Sequence, residues 1–519
     1  MALTKVHNRM IEGSSVNVLD FGADDTGVTD ASPAIQAALN SLTSGGEVII
    51  PTGTYLISSP ITLASGVIVR GDGRNNTKLT VNTDIEVFNS DTATVSSAIS
   101  YASIQDLFIH KTVTTATTKY DIHLQNPQIC SVSNVRVQSG HDDSQYSATN
   151  VGGIFFDKPP GSTSPAYINV IDNCWVQNNS VYLRSITDTV IRGGFIWGHV
   201  REFAIRIEGG GAIGIENIIG LITSKFKGGI WIDGSAVNQL RISGVEFDGN
   251  PLIDRGTGIY CPQQAIACTV TNNTFWGCDF SGMEITDPVG WSITGNVFWK
   301  NNDSDQSADD IRIVGKTFQP NGNVVSGNTF IMDVARTNKG YAIREYNSGF
   351  SPTGNTYTGN GIIGSTGYQN PAFLLLGDNA VVGNTGVGTA NQTTLASENE
   401  IGLDGILLTK TGLVASAGTL DLTVNTKTYL SNPGGFSGIL SVSSTRSDFP
   451  TQSRKDIFAV VGQGTTATFN SLASINGSGG GTPFTIAMTT NGVIRFTDTA
   501  ASGSSVWATM SFSGTKSFA

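Results

Sequence analysis

The amino-acid sequence predicts an all-β fold whose central part is a parallel β-helix, a solenoid in which every coil of the chain contributes short strands. Two short phrases alternate from about residue 152 to residue 360, with a period in the twenties. Period-2 strands that are interrupted by Gly and Asn at such a period are typical of a solenoid. The composition agrees, because 14% of the residues are charged and 62 of 519 are Gly. Ordinary globular chains have about 25% charged residues and about 7% Gly.

The two phrases read Gly-apolar-x-apolar-x and apolar-x-Gly/Asn-Asn-x-aromatic. One copy has too little apolar surface to fold alone, so the copies must stack and bury a shared core. The Leu-x-x-Leu-x-Leu spelling of leucine-rich repeats is absent. We therefore predict coils of β-strands spaced ~4.8 Å apart along the axis. The first phrase occurs at 153–157, 229–233, 258–261 and 282–285, and the second at 242–247, 270–275, 293–298, 325–330 and 352–357.

Asn recurs at the fourth position of the second phrase. We expect it at a tight bend of each coil, where it tolerates the left-handed conformation and its amide bonds the backbone and the Asn of the next coil. Successive copies are 28, 23, 32 and 27 residues apart. The aligned residues are Val245, Asn273, Asn296, Asn328 and Asn355.

The chain begins with residues 1–15, which we predict to be a short tether, and continues with a strand, a loop, a helix and a strand over 16–64. Asp30 or Ser32 can cap the helix, Pro33 suits its first turn, and Gly45 or Gly46 can end it. The first coil of a β-helix is an open sheet edge, and the narrow apolar stripe of this helix is suited to covering it. The stripe consists of Ile35, Ala38, Leu39 and Leu42.

The segment NVLDFGADDTGVTD, followed by SPAIQAAL and GGEVIIPTGTYLI, resembles the N-terminal segment of the pectate-lyase-like superfamily as it occurs in bacteriophage tailspikes. The repeats extend this resemblance over 65–385. It implies a right-handed β-helix, usually a homotrimer, that binds and cuts a bacterial surface polysaccharide such as a capsule or O-antigen. It also implies a place in the tail of the virion, with the N-terminus attached to the phage tail or an adaptor protein.

The repeat pattern of the sequence ends after residue 385. Residues 386–400 are predicted to be a linker, and the strands of 401–519 are independent of the repeat. A hairpin turn is predicted at 489–492. This region resembles a β-sandwich, and such domains of tailspikes support trimerisation or glycan binding.

Alternation also predicts which side chains of the first phrase face outward. Stacked coils place them in two columns, where aromatic rings can stack on a pyranose and charged groups can bond its hydroxyls or carboxylates. The resemblance implies that this face lines the substrate groove. We predict that Tyr182, Arg184, Arg206, Trp231, Tyr260 and Arg312 bind substrate.

Glycoside hydrolysis needs two carboxyl groups at a defined separation. Glu208 and Asp233 fall on adjacent coils, ~5 Å apart, and Glu284 lies two coils beyond Asp233, ~10 Å away. We predict Glu208 and Asp233 as the catalytic pair, with Glu284 as the substitute, and expect the proximity of two carboxylates to raise one pKa. The alternative is that each merely pairs with Arg206 or another arginine.

Other possibilities remain open. A reserve site is predicted on the wall that follows the second phrase, at Glu246, Asp248, Asp254, Trp276 and Trp299. A lyase would need a base, which Tyr260 or His199 could supply, and a cation for the substrate carboxylate, which Arg206 or Lys225 could supply. A spike that binds without cutting would need neither.

Charge and composition exclude several classes. The net charge is −11 without any basic block, which argues against nucleic acid and anionic membranes as partners. No run of 18 apolar residues and no N-terminal apolar segment occurs, so we expect synthesis in the host cytoplasm without a signal peptide or membrane insertion. The five Cys residues form no CxxC motif and are expected to be reduced. No cofactor is expected, and His141, Asp142 and Asp143 are assigned to a solvated loop rather than a metal site.

Overall fold

The computed structural model describes residues 15–517 outside a set of short segments. These segments are 91, 114–116, 140–151, 198–202, 223–227, 235–236, 249–255, 303–307, 333–334, 365–367, 370–371, 377–378, 383, 387–393, 396–405, 415–418, 424–434, 447–452, 464–465, 477–483, 489–492 and 499–505.

The repeat region forms three parallel sheets, here named A, B and C, which the chain visits in that order in each coil. Within a sheet every strand is paired with the strand of the previous coil, which confirms the parallel β-helix. Sheet A consists of Val16–Asn17, Gly46–Ile50, Val67–Gly71, Ser103–Gln105, Ser131–Ser133, Val170–Asp172, Val190–Arg192, Gly214–Glu216, Arg241–Ser243, Thr269–Thr271, Ser292–Thr294, Val324–Ser326, Thr356–Thr358 and Ala380–Val382. Sheet B consists of Thr26–Asp30, Gly53–Ile57, Thr77–Val81, Phe108–Lys111, Arg136–Ser139, Trp175–Gln177, Phe195–Trp197, Leu221–Ile222, Glu246–Asp248, Thr274–Trp276, Val297–Trp299, Thr329–Ile331, Gly361–Ile363 and Thr385–Gly386.

Sheet C is formed by the first phrase and carries the predicted site. A minor parallel pair, Ile99–Ser100 with Pro127–Gln128, lies beside it. Sheet C consists of Ile61–Leu63, Phe88–Ser90, Ile122–Gln125, Gly153–Asp157, Ser180–Thr187, Ile205–Gly211, Gly228–Asp233, Thr257–Cys261, Met283–Thr286, Ile311–Gly315, Ile343–Asn347, Phe373–Leu375 and Thr394–Leu395.

The core runs along the axis between the sheets, because alternate residues of each strand point inward. Ile230 and Ile232 are fully buried, whereas Trp231 between them lies on the outside. Aromatic rings of the second phrase stack from coil to coil with centroids 4.3 to 5.1 Å apart. Burying each of these rings contributes about 1.5–3 kcal/mol. The stack consists of Phe247, Phe275, Phe298 and Phe330.

The recurring Asn residues form a hydrogen-bonded ladder, as predicted. The side-chain carbonyl of Asn296 accepts the backbone N–H of Asn273 at 3.0 Å, and Asn328 does the same for Asn296 at 2.9 Å. The predicted alignment of Asn355 is wrong, since Asn360 accepts the backbone N–H of Asn328 at 3.1 Å. Asn355 precedes a strand of sheet A and accepts from Asn323 in a second ladder. The pattern Gly-Asn occurs twice in succession, at 354–355 and 359–360, and only the pairing with the previous coil shows which copy continues the first ladder.

The left-handed residue of this bend is the one before the ladder Asn. Gly295, Gly327 and Gly359 have φ of 67°, 62° and 63°, and Asn272 has φ of 55°. The expectation that the ladder Asn itself adopts this conformation is therefore wrong. Its amide instead acts in the neighbouring position, where it satisfies buried backbone groups.

The N-terminal helix covers the first coil. It spans Ser32–Asn40 after a 3₁₀ turn at Val18–Phe21, with Pro33 in its first turn. Its N-cap position is Ala31, which makes no side-chain cap bond, but the predicted Asp30 accepts the backbone N–H of Ser32 at 3.0 Å. The C-cap is Ser41, so the prediction that Gly45 or Gly46 ends the helix is wrong. Gln36 donates to the carbonyl of Thr62 and accepts its N–H at 2.8 Å. Thr62 lies on the edge strand of sheet C, so this amide replaces the missing neighbouring strand.

The C-terminal region forms antiparallel sheets, in agreement with the predicted strand-rich domain. Part of the predicted linker belongs to the β-helix instead, since Thr394–Leu395 pairs with Phe373–Leu375 of sheet C. Residues 1–14 of the tether, most of the linker and the turn at 489–492 lie outside the described residues. One sheet has five strands, Ile406–Val414, Gly435–Arg446, Ser453–Gln463, Thr466–Asn476 and Val506–Ser517, and the other has three, Thr419–Thr423, Phe484–Met488 and Val493–Asp498.

Candidate functional site

The outer face of sheet C carries the predicted columns in the predicted register. Arg206 pairs with Tyr182 on one side and with Trp231 on the other. Glu208 pairs with Asp233, so these carboxyl groups project from adjacent strands. The first column continues through Tyr260, Glu284, Arg312 and Arg344.

Arg206 lies at the centre of this face and links the two predicted catalytic carboxylates. Its Nη2 donates to Glu208 Oε2 at 3.1 Å and to Asp233 Oδ2 at 2.7 Å. The Tyr182 hydroxyl donates to Glu208 as well. The side chains of Glu208 and Asp233 are 37% and 17% exposed, so solvent and a ligand reach both. The Arg206 guanidinium lies between the two carboxylates and offsets their mutual repulsion. The expectation that their proximity raises one pKa stays a prediction.

Several aromatic rings of this face pack against one another, and this packing covers Tyr182. Tyr182 is only 6% exposed, because its ring lies 4.5 Å from Phe155 and 4.6 Å from the Arg206 guanidinium. Trp231 contacts Arg206 at 4.4 Å and Phe203 at 4.8 Å but remains partly exposed. Stacking of a sugar on the face of Tyr182 is therefore excluded. Burial and the hydrogen bond to Glu208 raise the pKa of Tyr182 above its ordinary value, so its hydroxyl remains a donor.

A histidine flanked by carboxylates, which the sequence analysis did not single out, follows on the N-terminal side. His123 lies in the same column as Phe155, with Nδ1 3.1 Å from Glu86 and Nε2 3.5 Å from Asp157. Asp157 also accepts two hydrogen bonds from Arg184, at 2.7 and 2.8 Å. Burial alone lowers the pKa of His123, but the two carboxylates outweigh it and the pKa is raised. Arg184 is thus engaged by Asp157.

On the C-terminal side, the column carries two arginines on adjacent strands. Arg312 Nη1 is 3.5 Å from Glu284, and Arg344 Nη1 is 3.8 Å from Asp309. Asp309 is 1% exposed, and burial raises its pKa to about 6 against the opposing effects of Arg344 and Arg312. Asp309 was missed because it precedes the strand that carries Arg312, and Arg344 because the next inward position is Glu345, which breaks the apolar alternation.

The reserve site lies on the outer face of sheet B. Asp248, Trp276 and Trp299 form one column, and Glu246 belongs to the neighbouring one. Trp276 and Trp299 are 6.0 Å apart, and Trp299 is 38% exposed, so this wall also offers open aromatic surface. Asp254 lies outside the described residues.

Several predicted residues cannot be placed. Lys225, His199 and the 141–143 segment lie outside the described residues. Within the part of the chain that the structure describes, no group of three or more His, Cys, Asp or Glu side chains could hold a metal ion. The described helices also include none that is long and apolar enough to cross a membrane. All five Cys residues are buried free thiols, as expected.

The fold and site together define a parallel β-helix with an elongated wall of paired charges on one face. The family model of rhamnogalacturonase A/epimerase, pectate lyase-like, matches residues 15–305. The chain belongs to this family, which confirms the resemblance seen in its N-terminal segment.

Individual relatives share only part of the chain. The tail spike protein of Shigella phage Sf6 is 42% identical over 67 residues, 12% of this chain and 11% of the relative. Rhamnogalacturonase A of Aspergillus aculeatus is 35% identical over 85 residues, 14% of this chain and 19% of the relative. The chain thus spans less than a fifth of the length of these curated relatives. The N-terminal fragment of bacteriophage phi29 gene product 12 has the same fold, with a TM-score of 0.50 at 13% identity over 72% of this chain and 70% of that chain.

Proposed function

We propose that this protein is a bacteriophage tailspike depolymerase that binds a bacterial surface polysaccharide, a capsule or an O-antigen, and cleaves it by glycoside hydrolysis. The family membership and the similarity to a phage tail spike protein support a tailspike that acts on polysaccharide. The observation that carries the proposal is the Arg206-linked pair of carboxylates on the outer face of sheet C.

The geometry of the pair fits a retaining hydrolase. Because one nitrogen of Arg206 contacts both carboxylates at 3.1 and 2.7 Å, their nearest oxygens lie within about 6 Å of each other, whereas inversion needs about 6.5–9.5 Å. Glu208, which accepts from Tyr182 and Arg206, acts as the nucleophile. Asp233, which contacts Arg206 through one oxygen, protonates the leaving oxygen and then activates water.

The residues around the pair then position the sugar chain. Arg206 is held between the rings of Tyr182 and Trp231, so its charge stays fixed while substrate binds. Tyr260 and Arg312 extend the wall along the axis and offer further contacts to successive sugar units. Arg184 supports the wall through Asp157 rather than through substrate.

Digestion of a panel of purified bacterial polysaccharides by the full-length protein tests the function. We expect one polysaccharide to be shortened with new reducing ends. On that polysaccharide, Glu208→Gln and Asp233→Asn should each lower the rate by ~10²-fold or more. Asp172→Asn is the matched control, because Asp172 pairs with Arg192 at 3.2 Å on the outer face of sheet A. Full activity in both site variants would move the site to Glu246, Asp248, Trp276 and Trp299 on sheet B.

A lyase on the same scaffold is the second candidate. Arg206 offers a cation that can bind a uronate, and Tyr260, two strands further along the same column, offers a phenol that can transfer a proton. The products distinguish the two reactions, since β-elimination gives an unsaturated uronate that absorbs in the ultraviolet and hydrolysis does not. If the protein binds a polysaccharide but never shortens it, it is a receptor-binding spike without catalytic activity.

The proposed assembly is a homotrimer in the virion tail, joined through its N-terminus to the phage tail or an adaptor protein. The similarity to the tail spike protein of Shigella phage Sf6 supports the place in the virion tail, whereas the trimer and the N-terminal attachment rest on the resemblance of the N-terminal segment alone. Light scattering should give three times the chain mass of 54.5 kDa. A mass of one chain would contradict the trimer without affecting the site.

A further inference from the structure

Two like charges lie side by side on the outer face of sheet C. Arg312 and Arg344 are partners in the register of adjacent strands, Ile311–Gly315 and Ile343–Asn347. Such partners are ~4.8 Å apart along the axis. Like charges directly opposite each other destabilise a sheet unless something compensates them.

The carboxylates nearby compensate this pair only in part. The Arg312–Glu284 and Arg344–Asp309 contacts of 3.5 and 3.8 Å are too long for good hydrogen bonds. The Nε atoms of both arginines are buried and have no hydrogen-bond partner among the described residues. An incoming anion cannot reach these buried Nε atoms, but the exposed part of each guanidinium group is held by its carboxylate only through the long contact and can still donate to an anion.

The pair is also held in place. The ring of Tyr346 lies 5.0 Å from the Arg312 guanidinium and 5.3 Å from that of Arg344, and Tyr341 lies 5.6 Å from Arg344. Both arginine side chains remain about a third exposed, at 32% and 28%. Stacking on rings restricts the side chains while it leaves their planar donor edges to solvent.

We infer that Arg312 and Arg344 form a subsite for the carboxylate of an acidic sugar residue, so that the polysaccharide bound along this wall is anionic. This inference rests on the proposed function and names the substrate class of the same wall. A guanidinium group matches a carboxylate with two parallel hydrogen bonds, and two adjacent groups favour an anion over a neutral hydroxyl.

The subsite lies away from the proposed cleavage site. Arg312 is four strands from Arg206 in one column, which corresponds to ~19 Å. A sugar bound there is separated from the scissile bond by several units. The arginine pair is therefore a positioning element that contributes to binding and leaves the chemical step to Glu208 and Asp233.

The test compares acidic polysaccharides in their native form with the same polymers after their carboxyl groups have been reduced to alcohols. Binding to the full-length Glu208→Gln protein is measured, so that cleavage does not interfere. We expect the bound polysaccharide to lose at least about tenfold in affinity on reduction. The double variant Arg312→Gln/Arg344→Gln should lose as much affinity for the native polymer, and its affinity should not change when the carboxyl groups of the polymer are reduced. Arg192→Gln on sheet A is the matched control and should behave as the parent.

Two further arms make the outcome decisive. Arg312→Lys/Arg344→Lys keeps the charges without the planar fork and should give an intermediate loss, and circular dichroism confirms that each variant is folded. Treatment with mild acid removes pyruvate ketals but leaves uronic acid residues in the chain, so retained binding after it assigns the carboxylate to a uronic acid. Loss of binding after mild acid would overturn that assignment.

The result separates this inference from the proposed function. Equal binding of native and reduced polymers, or a double glutamine variant that still senses reduction, would overturn the subsite. Cleavage of neutral polysaccharides alone would overturn the subsite and keep the depolymerase. Binding of the acidic polymer without cleavage would overturn the depolymerase and keep the subsite.

Discussion

The Asn ladder holds together the coils between residues 245 and 360, next to the proposed cleavage site, and Asn296→Ala tests it. The Asn296 side chain is buried and makes four hydrogen bonds. Its carbonyl accepts from the backbone N–H and the side-chain amide of Asn273, both at 3.0 Å. Its amide donates to the carbonyl of Val270 at 2.9 Å and to the side chain of Asn328 at 3.0 Å.

The expected loss follows from these contacts. Each net hydrogen bond contributes about 0.5–1.5 kcal/mol, and truncation leaves the partner groups buried without replacement, so Asn296→Ala should cost about 3–4 kcal/mol locally. Because a solenoid opens coil by coil, native-state hydrogen exchange of the backbone amides around Asn273 is a better assay than global unfolding. Exchange there should become at least ~100-fold faster.

The matched control is Asn321→Ala. Asn321 is exposed and its side chain makes one hydrogen bond, to the Gln319 carbonyl at 3.1 Å. Its removal should change local stability by less than about 0.5 kcal/mol. If Asn296→Ala alters the exchange near Asn273 no more than Asn321→Ala does, the ladder does not stabilise the coils and the reasoning fails.

Three further predictions concern the cap, the site and its pH dependence. Gln36→Ala removes both hydrogen bonds to Thr62 and should cost about 1–2 kcal/mol, seen as faster exchange of the Thr62 amide; unchanged exchange would show that the helix covers the edge without this amide. Tyr182→Phe keeps the stacked ring but removes the donor to Glu208, and should lower kcat about tenfold at an unchanged melting temperature; an unchanged kcat would limit Tyr182 to packing. Asp309, whose pKa is raised to about 6 by burial, becomes neutral as pH falls from 7 to 5. The net positive charge of the arginine pair then rises, so affinity for the acidic polymer should increase over this interval. Asp309→Asn should abolish this dependence, whereas an equal dependence in the variant would contradict it.

The fold and the outward columns could be predicted because alternation along a strand is a local property. The spacing of Trp231 and Asp233 after their Gly already sets both on the outer face, and the register adds Glu208 beside them. The misalignment of Asn355 arose because two copies of one phrase follow each other, and only pairing with Asn323 or Asn328 tells them apart.

Contacts between side chains of different coils could not be predicted in the same way. Tyr182 was expected to offer its ring to a sugar, but the ring is covered by Phe155 and Arg206. Asp309 precedes the strand of Arg312, and the inward Glu345 interrupts the alternation beside Arg344, so no sequence pattern placed either residue beside Arg312. Burial and stacking depend on which side chains share a column, and this is known only once every loop length is fixed.

The central claim is that Glu208 and Asp233 cleave a glycosidic bond as a closely spaced pair. Nuclear magnetic resonance of the reaction mixture, recorded before the sugars mutarotate, tests it most directly by giving the anomeric configuration of the first product. Carboxyl groups within about 6 Å of each other predict that the configuration of the cleaved bond is retained. An inverted anomer, or a product that contains a double bond, would contradict the account.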